Sequence, residues 1–196
     1  TIPKTVTSIG YNAFLVGCDA LTTINYAGTT SQWKRISSTL SLPLATKVVC
    51  TNGTITPTLS GTCGKNVSYS ISDDGVLTIR GTGAMNNFTY KSDDSSDCPW
   101  HGVRYALKKI VVEDGVTSIG SYAFSFDLSV TDVTLPSSLK TIGRNAFWGC
   151  YGLTSVVIPE GVTTIGAYAF EQCTSIETIT VPASATELGD RAFITW

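Results

Sequence analysis

Apolar and polar positions in the second half of the chain follow a pattern that returns every 23 residues. In one unit Leu153, Val156 and Ile158 are apolar, and the 156/158 alternation predicts a short strand with Val157 on its outer side. Pro159 ends the strand because it has no N–H to give a ladder. Glu160-Gly161 predicts a turn, and Val162 and Ile165 point back inside. Gly166 is read as permitting a tight bend. Ala169-Phe170 predict one short helical turn that drives the phenylalanine into the core.

The phrase VTSIGYNAF at 6–14 recurs as VTSIGSYAF at 116–124, LKTIGRNAF at 139–147, VTTIGAYAF at 162–170 and ATELGDRAF at 185–193. Gly120, Gly143, Gly166 and Gly189 hold one register, Phe124, Phe147, Phe170 and Phe193 another, and Pro136, Pro159 and Pro182 a third. One such unit cannot bury its own apolar edge, so the units must stack. The expected fold is an α/β repeat solenoid, a right-handed superhelix of coils of about 23 residues, interrupted by a small β-rich insert. Parallel strands are expected near Val133–Leu135, Val156–Ile158 and Ile179–Val181. The division expected is an N-terminal coil at 1–28, an insert or spacer at 29–106, and a C-terminal repeat block at 107–196.

The middle breaks the period, because Gly10 and Gly120 are 110 residues apart. Tyr26–Ile36 reads as a strand exit followed by a short amphipathic helix whose Trp33 and Ile36 cover the end of the solenoid. Lys47–Cys50 reads as a strand. Val67–Ile71 and Val76–Ile79 alternate on both sides of Asp73-Asp-Gly75 and predict a hairpin. Residues 84–98 read as a polar loop, and Pro99–Leu107 as a short helix before a strand at Leu107–Val112.

The signature IG-x-x-AF-x-x-C, then L-T-S-V-x-IP, then V-T-x-IG is complete in Ile142–Ile165, with Cys150 and Cys173 at its cysteine position. It resembles the BspA-like (treponemal, LRR_5-type) leucine-rich repeats over residues 1–28 and about 107–196. Two positions depart from it: Asp127 replaces the cysteine, and Cys18 lies four residues beyond Phe14 instead of three. The stretch CGKNVSYSISDDGVLTIRGTGAM resembles a module found beside such repeats in surface proteins of gut anaerobic bacteria. The resemblance implies an extracellular or cell-surface protein, secreted or wall-anchored through regions outside this chain. It also implies adhesion to host proteins or other cells. The chain starts at Thr1 rather than Met, as expected of a segment of a longer protein.

Composition narrows the function further. Only 14% of the residues are charged and the formal net charge is −2, which leaves no electrostatic footprint for nucleic acid. The 29 Thr and 21 Ser fill the gap with uncharged β-formers and turn formers. No apolar run approaches the ~20 residues of a membrane helix, so insertion by this segment is not expected. No signal-peptide pattern is present. The single histidine, His101, has no nucleophile and acid placed near it by the sequence, so no enzyme activity and no cofactor are expected. No zinc-type CxxC pair occurs. Asp93, Asp94 and Asp97 lack the closing glutamate of a calcium loop and read as a solvated loop. Cys150 and Cys173 are expected as buried thiols. Whether a disulfide forms among Cys50, Cys63 and Cys98 stays open.

The outward strand positions form two columns, Val111, Thr134, Val157 and Thr180 beside Lys109, Asp132, Ser155 and Thr178. The candidate partner-binding face is therefore Asp132, Thr134, Ser155, Val157, Thr178 and Thr180. A broad, shallow solenoid face suits a macromolecule such as a host extracellular or cell-surface protein. The alternatives are a carbohydrate-binding or enzyme-associated surface module, with Trp100, Tyr90 and Trp148 as an aromatic platform, and a passive stalk.

Overall fold

The computed structural model describes residues 1–194 except 11–12, 15–17, 19, 38–41, 43, 45, 57–58 and 92–95. The described elements are β1 (Thr23–Asn25), α1 (Thr30–Ile36), β2 (Lys47–Cys50), β3 (Gly53–Ile55), β4 (Ser60–Thr62), β5 (Val67–Ile71), β6 (Val76–Gly81) and β7 (Gly83–Ala84). A 3₁₀ turn at His101–Ala106 leads into β8 (Lys109–Val112) and β9 (Val116–Ile119). The repeats then supply β10 (Asp132–Thr134), β11 (Thr141–Ile142), β12 (Val156–Val157), β13 (Thr164–Ile165), β14 (Ile179–Thr180) and β15 (Glu187–Leu188).

These elements make a β-solenoid. One row of strands runs β4-β5-β6-β8-β10, and a parallel bridge from Asp132 to Ser155 carries it on to β12 and β14. The second row, β7-β9-β11-β13-β15, is parallel throughout. The offset between partners is 23 residues, as in Val133 with Ile110 and Val156 with Ile179. The expected parallel strands are therefore present.

The third side of each coil differs from expectation. No helical turn forms at Ala169-Phe170. The backbone instead passes through turns in which Tyr122, Asn145, Tyr168 and Arg191 adopt φ of 54–61°. These left-handed residues let alternate N–H groups point along the solenoid axis. Phe124 N donates to Ala146 O and Phe147 N to Ala169 O, both at 2.8 Å. The coils are thus bonded on three sides. Helix is confined, among the described residues, to α1 and the 3₁₀ turn, so the fold is a β-solenoid rather than α/β.

The glycine of each IG pair does not supply a positive φ. A Cβ on Gly166 would lie 2.6 Å from Arg144 N, and one on Gly143 would lie 2.6 Å from Ser121 N. At these two positions glycine is required because the backbone of the preceding coil passes directly over it.

Residues 29–106 do not form a separate insert. Two cores divide them. Ile24, Tyr26, Trp33, Val48 and Cys50 form the first, with Ile2, Ile9 and Ile55 packed around it. Here β1 pairs in parallel with β2 at an offset of 24 residues, close to the repeat length, and α1 lies between them in sequence. Thr29 caps α1 with a reciprocal Gln32 contact, and Trp33 packs edge-on to Tyr26 at 5.4 Å. From β4 onward the chain belongs to the second core. The β5–β6 hairpin forms as expected, and β6 then pairs in parallel with β8, so the hairpin is the first layer of the C-terminal solenoid. The expected polar loop at 84–98 contributes to the core at several of its described positions. Met85, Phe88, Cys98 and Trp100 are buried, and Trp100 Nε1 donates to Ala123 O at 2.8 Å. A stack of rings, Trp100, Phe124, Phe147, Phe170 and Phe193, runs through this core with neighbouring centroids 5.0–5.8 Å apart.

Hydroxyl groups account for much of the Ser and Thr content. Ser138 Oγ accepts from Gly115 N and donates to Val116 O, and Ser184 repeats both bonds with Gly161 and Val162. They close the backbone groups left open at the coil corners.

Candidate functional site

The strand row β4-β5-β6-β8-β10-β12-β14 has one face in the core and one in solvent, because successive side chains in a strand point to opposite sides. Ile110, Val133, Val156 and Ile158 are inward and buried. Asp132, Thr134, Ser155, Val157, Thr178 and Thr180 are all exposed, and the ladder brings them together on one surface. Val157 is 78% exposed, an apolar side chain standing in solvent on a mostly polar face.

The columns extend further than the repeats. Val111 pairs with Thr78, Thr78 with Ser70, and Ser70 with Ser60. The surface therefore spans seven strands, roughly 29 Å at ~4.8 Å per strand. The aperiodic middle of the sequence hid this extension. The signal available was the alternation of Val67–Ile71 and Val76–Ile79, which fixes Ser68, Ser70, Val76 and Thr78 opposite the buried set. Electrostatically the face is nearly silent. Lys109 Nζ lies 2.6 Å from an Asp132 carboxylate oxygen on the neighbouring strand, and Arg80 donates to Ser70 Oγ at 2.9 Å. The few charges present are thus already engaged.

Of the three aromatics of the glycan alternative, Tyr90 and Trp148 meet in a half-buried cluster, and Trp100 is not part of an exposed platform. Trp100 is 1% exposed and sits in the ring stack. Tyr90, Phe126 and Trp148 pack against one another, with Phe126 and Trp148 centroids 4.6 Å apart. The indole N–H of Trp148 is buried inside that cluster.

The remaining chemistry is structural. His101 is buried and receives Arg104 Nη1 on its ring and carbonyl. All six cysteines are free thiols. Cys150 Sγ donates to Phe124 O at 3.0 Å and Cys173 Sγ to Phe147 O at 3.1 Å. Burial pushes the Cys150 and Cys98 thiols well up, and that of Cys63 to about 12, which removes the reactive thiolate. Asp127 takes the place of the thiol in its coil. Its carboxyl is pushed well up by burial, an effect that Arg104 partly offsets. Asp93 and Asp94 of the acidic loop lie outside the described residues, and Asp97 accepts from Thr89 N at 2.6 Å. Among the described residues no group of three His, Cys, Asp or Glu could hold a metal ion.

Residues 1–39 and 103–195 match the BspA type leucine-rich repeat region, in six copies. The chain belongs to the BspA-type leucine-rich repeat family. A leucine-rich repeat protein from Eubacterium ventriosum is 29% identical over 65% of this chain, with a TM-score of 0.53. The T. pallidum leucine-rich repeat protein is 24% identical over 67% of the chain, with a TM-score of 0.46. A leucine-rich cell surface protein from Faecalibacterium prausnitzii is 25% identical over 98%, with a TM-score of 0.45. This chain spans 39%, 65% and 50% of those three structures. No functionally curated protein matches it.

Proposed function

We propose that this chain is a non-catalytic interaction module of a longer bacterial surface protein, and that its exposed strand face adheres to a host extracellular or cell-surface protein. The observation that carries the reading is the continuous face from Ser70 to Thr180, held rigid by backbone ladders, with Lys109–Asp132 and Arg80–Ser70 as its side-chain contacts. Membership of a leucine-rich repeat family supports the protein-interaction role.

Thr134, Ser155, Thr178 and Thr180 are short, so a partner meets a pre-formed surface with little side-chain entropy to lose. They also supply no large anchor of the kind that dominates tight interfaces. A single module therefore binds weakly, and strength comes from many coils or many copies on one cell. A panel of immobilised extracellular-matrix and plasma proteins, run beside a glycan array, tests the reading. Saturable binding to a protein supports it. Binding confined to glycans would replace it with a carbohydrate-recognition role, and binding to neither leaves the module a stalk.

A further inference from the structure

Charge is divided unevenly between the two cores. Residues 1–56 carry four basic side chains, Lys4, Lys34, Arg35 and Lys47, against one acidic residue, while residues 59–196 carry nine basic and fourteen acidic. The N-terminal block is thus cationic within a chain whose net charge is −2. All four cations are exposed, and none makes an ion pair among the described residues.

Two of them flank a groove. Segment 4–7 lies beside α1, and just beyond it Ile9 N donates to Ile36 O at 2.9 Å. Between them lies a groove of about 290 Å³ lined by Lys4, Val6, Thr7, Tyr26, Gln32, Arg35 and Ile36. Val6 and Ile36 are half-buried in its wall, and Lys4 and Arg35 stand exposed at its rim. Apolar wall and cationic rim together select a ligand that carries both an apolar group and negative charge.

We propose that this groove is a second binding surface, separate from the strand face, and that it takes an acidic peptide segment of a partner protein. An apolar side chain of the segment rests on Val6 and Ile36, and flanking carboxylates meet Lys4 and Arg35. The guanidinium offers a planar fork that matches a carboxylate in two bonds. A sugar ring is less well served, because the aromatic side chain lining the groove, Tyr26, is 3% exposed and presents no open face. The steering charge of the block raises the encounter rate and makes the contact salt-sensitive.

The probe is a fluorescein-labelled peptide of alternating glutamate and leucine, titrated with the full chain and read by fluorescence anisotropy. A lysine–leucine peptide, heparin and vesicles containing phosphatidylserine are tested beside it. The expected result is saturable binding of the acidic peptide, weakened at least tenfold in Lys4→Glu/Arg35→Glu and in the milder Lys4→Gln/Arg35→Gln. Both positions are exposed, and circular dichroism checks that the variants fold. A variant with Thr134, Ser155 and Thr178 replaced should bind the peptide as the parent does, so failure of the strand-face reading and failure of this one are distinguishable. Unchanged affinity in both Lys4/Arg35 variants would overturn the proposal. So would stronger binding of the lysine–leucine peptide, heparin or the vesicles than of the acidic peptide.

Discussion

Replacing Phe147 by alanine probes the stacking that the whole architecture depends on. The ring is fully buried, 5.2 Å from Phe124 on one side and 5.0 Å from Phe170 on the other, the latter pair nearly parallel at 7°. Truncating a buried phenylalanine costs about 3–5 kcal/mol, more where the surroundings cannot collapse into the space. Collapse is opposed here, because the 2.8 Å hydrogen bonds Phe124 N–Ala146 O and Phe147 N–Ala169 O hold the coils apart at a fixed spacing on both sides. The expected loss is therefore about 4 kcal/mol, a large share of the stability of a domain this size. Phe193, at the end of the stack, is half-buried and has one ring neighbour at 5.8 Å. Its alanine variant should lose only about 1–2 kcal/mol, in line with partial burial. Urea unfolding, followed by circular dichroism and tryptophan fluorescence, measures both, provided the two signals coincide and the slope m is unchanged. A loss below about 1 kcal/mol for Phe147→Ala, or equal losses at 147 and 193, would refute the stacked-coil argument.

Two further substitutions test local claims. Gly166→Ala should destabilise by several kcal/mol, on the order of a severe core mutation, because its Cβ meets the Arg144 backbone at 2.6 Å and a backbone cannot step aside. Wild-type stability in urea unfolding would show that the coils are not in close contact there. Asp127→Asn tests the buried carboxyl by its pH dependence. The folded-state pKa is raised, so folding favours the protonated acid. That contribution is full below the ordinary carboxylate range near ~3.9 and is lost as pH rises through the raised folded value. The stability of the parent relative to the asparagine variant should therefore fall from about pH 4 upward. A difference that is flat, or that grows with pH, would mean that Arg104 outweighs burial.

The strands at 132–134, 156–157 and 179–180 and the phenylalanine stack were legible because a solenoid repeats its constraints. Each coil meets the same neighbour, so each must supply the same residue. Legibility failed where a coil kept its geometry but changed its chemistry. The β1–β2 pair has α1 and Trp33 between its strands in sequence, and residues 60–81 start the C-terminal solenoid with antiparallel strands. Neither carries the period. Trp100 looks in sequence like an exposed aromatic near a polar loop, yet it takes the position that a phenylalanine occupies in later coils. The left-handed residues were also hidden. Asn145 tolerates positive φ, but Tyr122 and Tyr168 at equivalent positions give no such sign, and tertiary bonding between coils imposes the conformation. On the outward strand face, the columns from Val111 to Thr180 followed from alternation and the 23-residue period. The engagement of Lys109 by Asp132 needed the register of the two strands.

The claim that the strand face is the adhesive surface is tested most directly by replacing Thr134, Ser155 and Thr178 together with lysine. All three are exposed and outside both cores, so the variant should fold, as unfolding in urea would verify. Binding of parent and variant to the same immobilised host protein is then compared by surface plasmon resonance. The account predicts a loss of at least tenfold in affinity, since three long cations would stand on a flat, neutral contact. Equal binding by a folded triple variant would place the adhesive surface elsewhere on the chain and contradict the account.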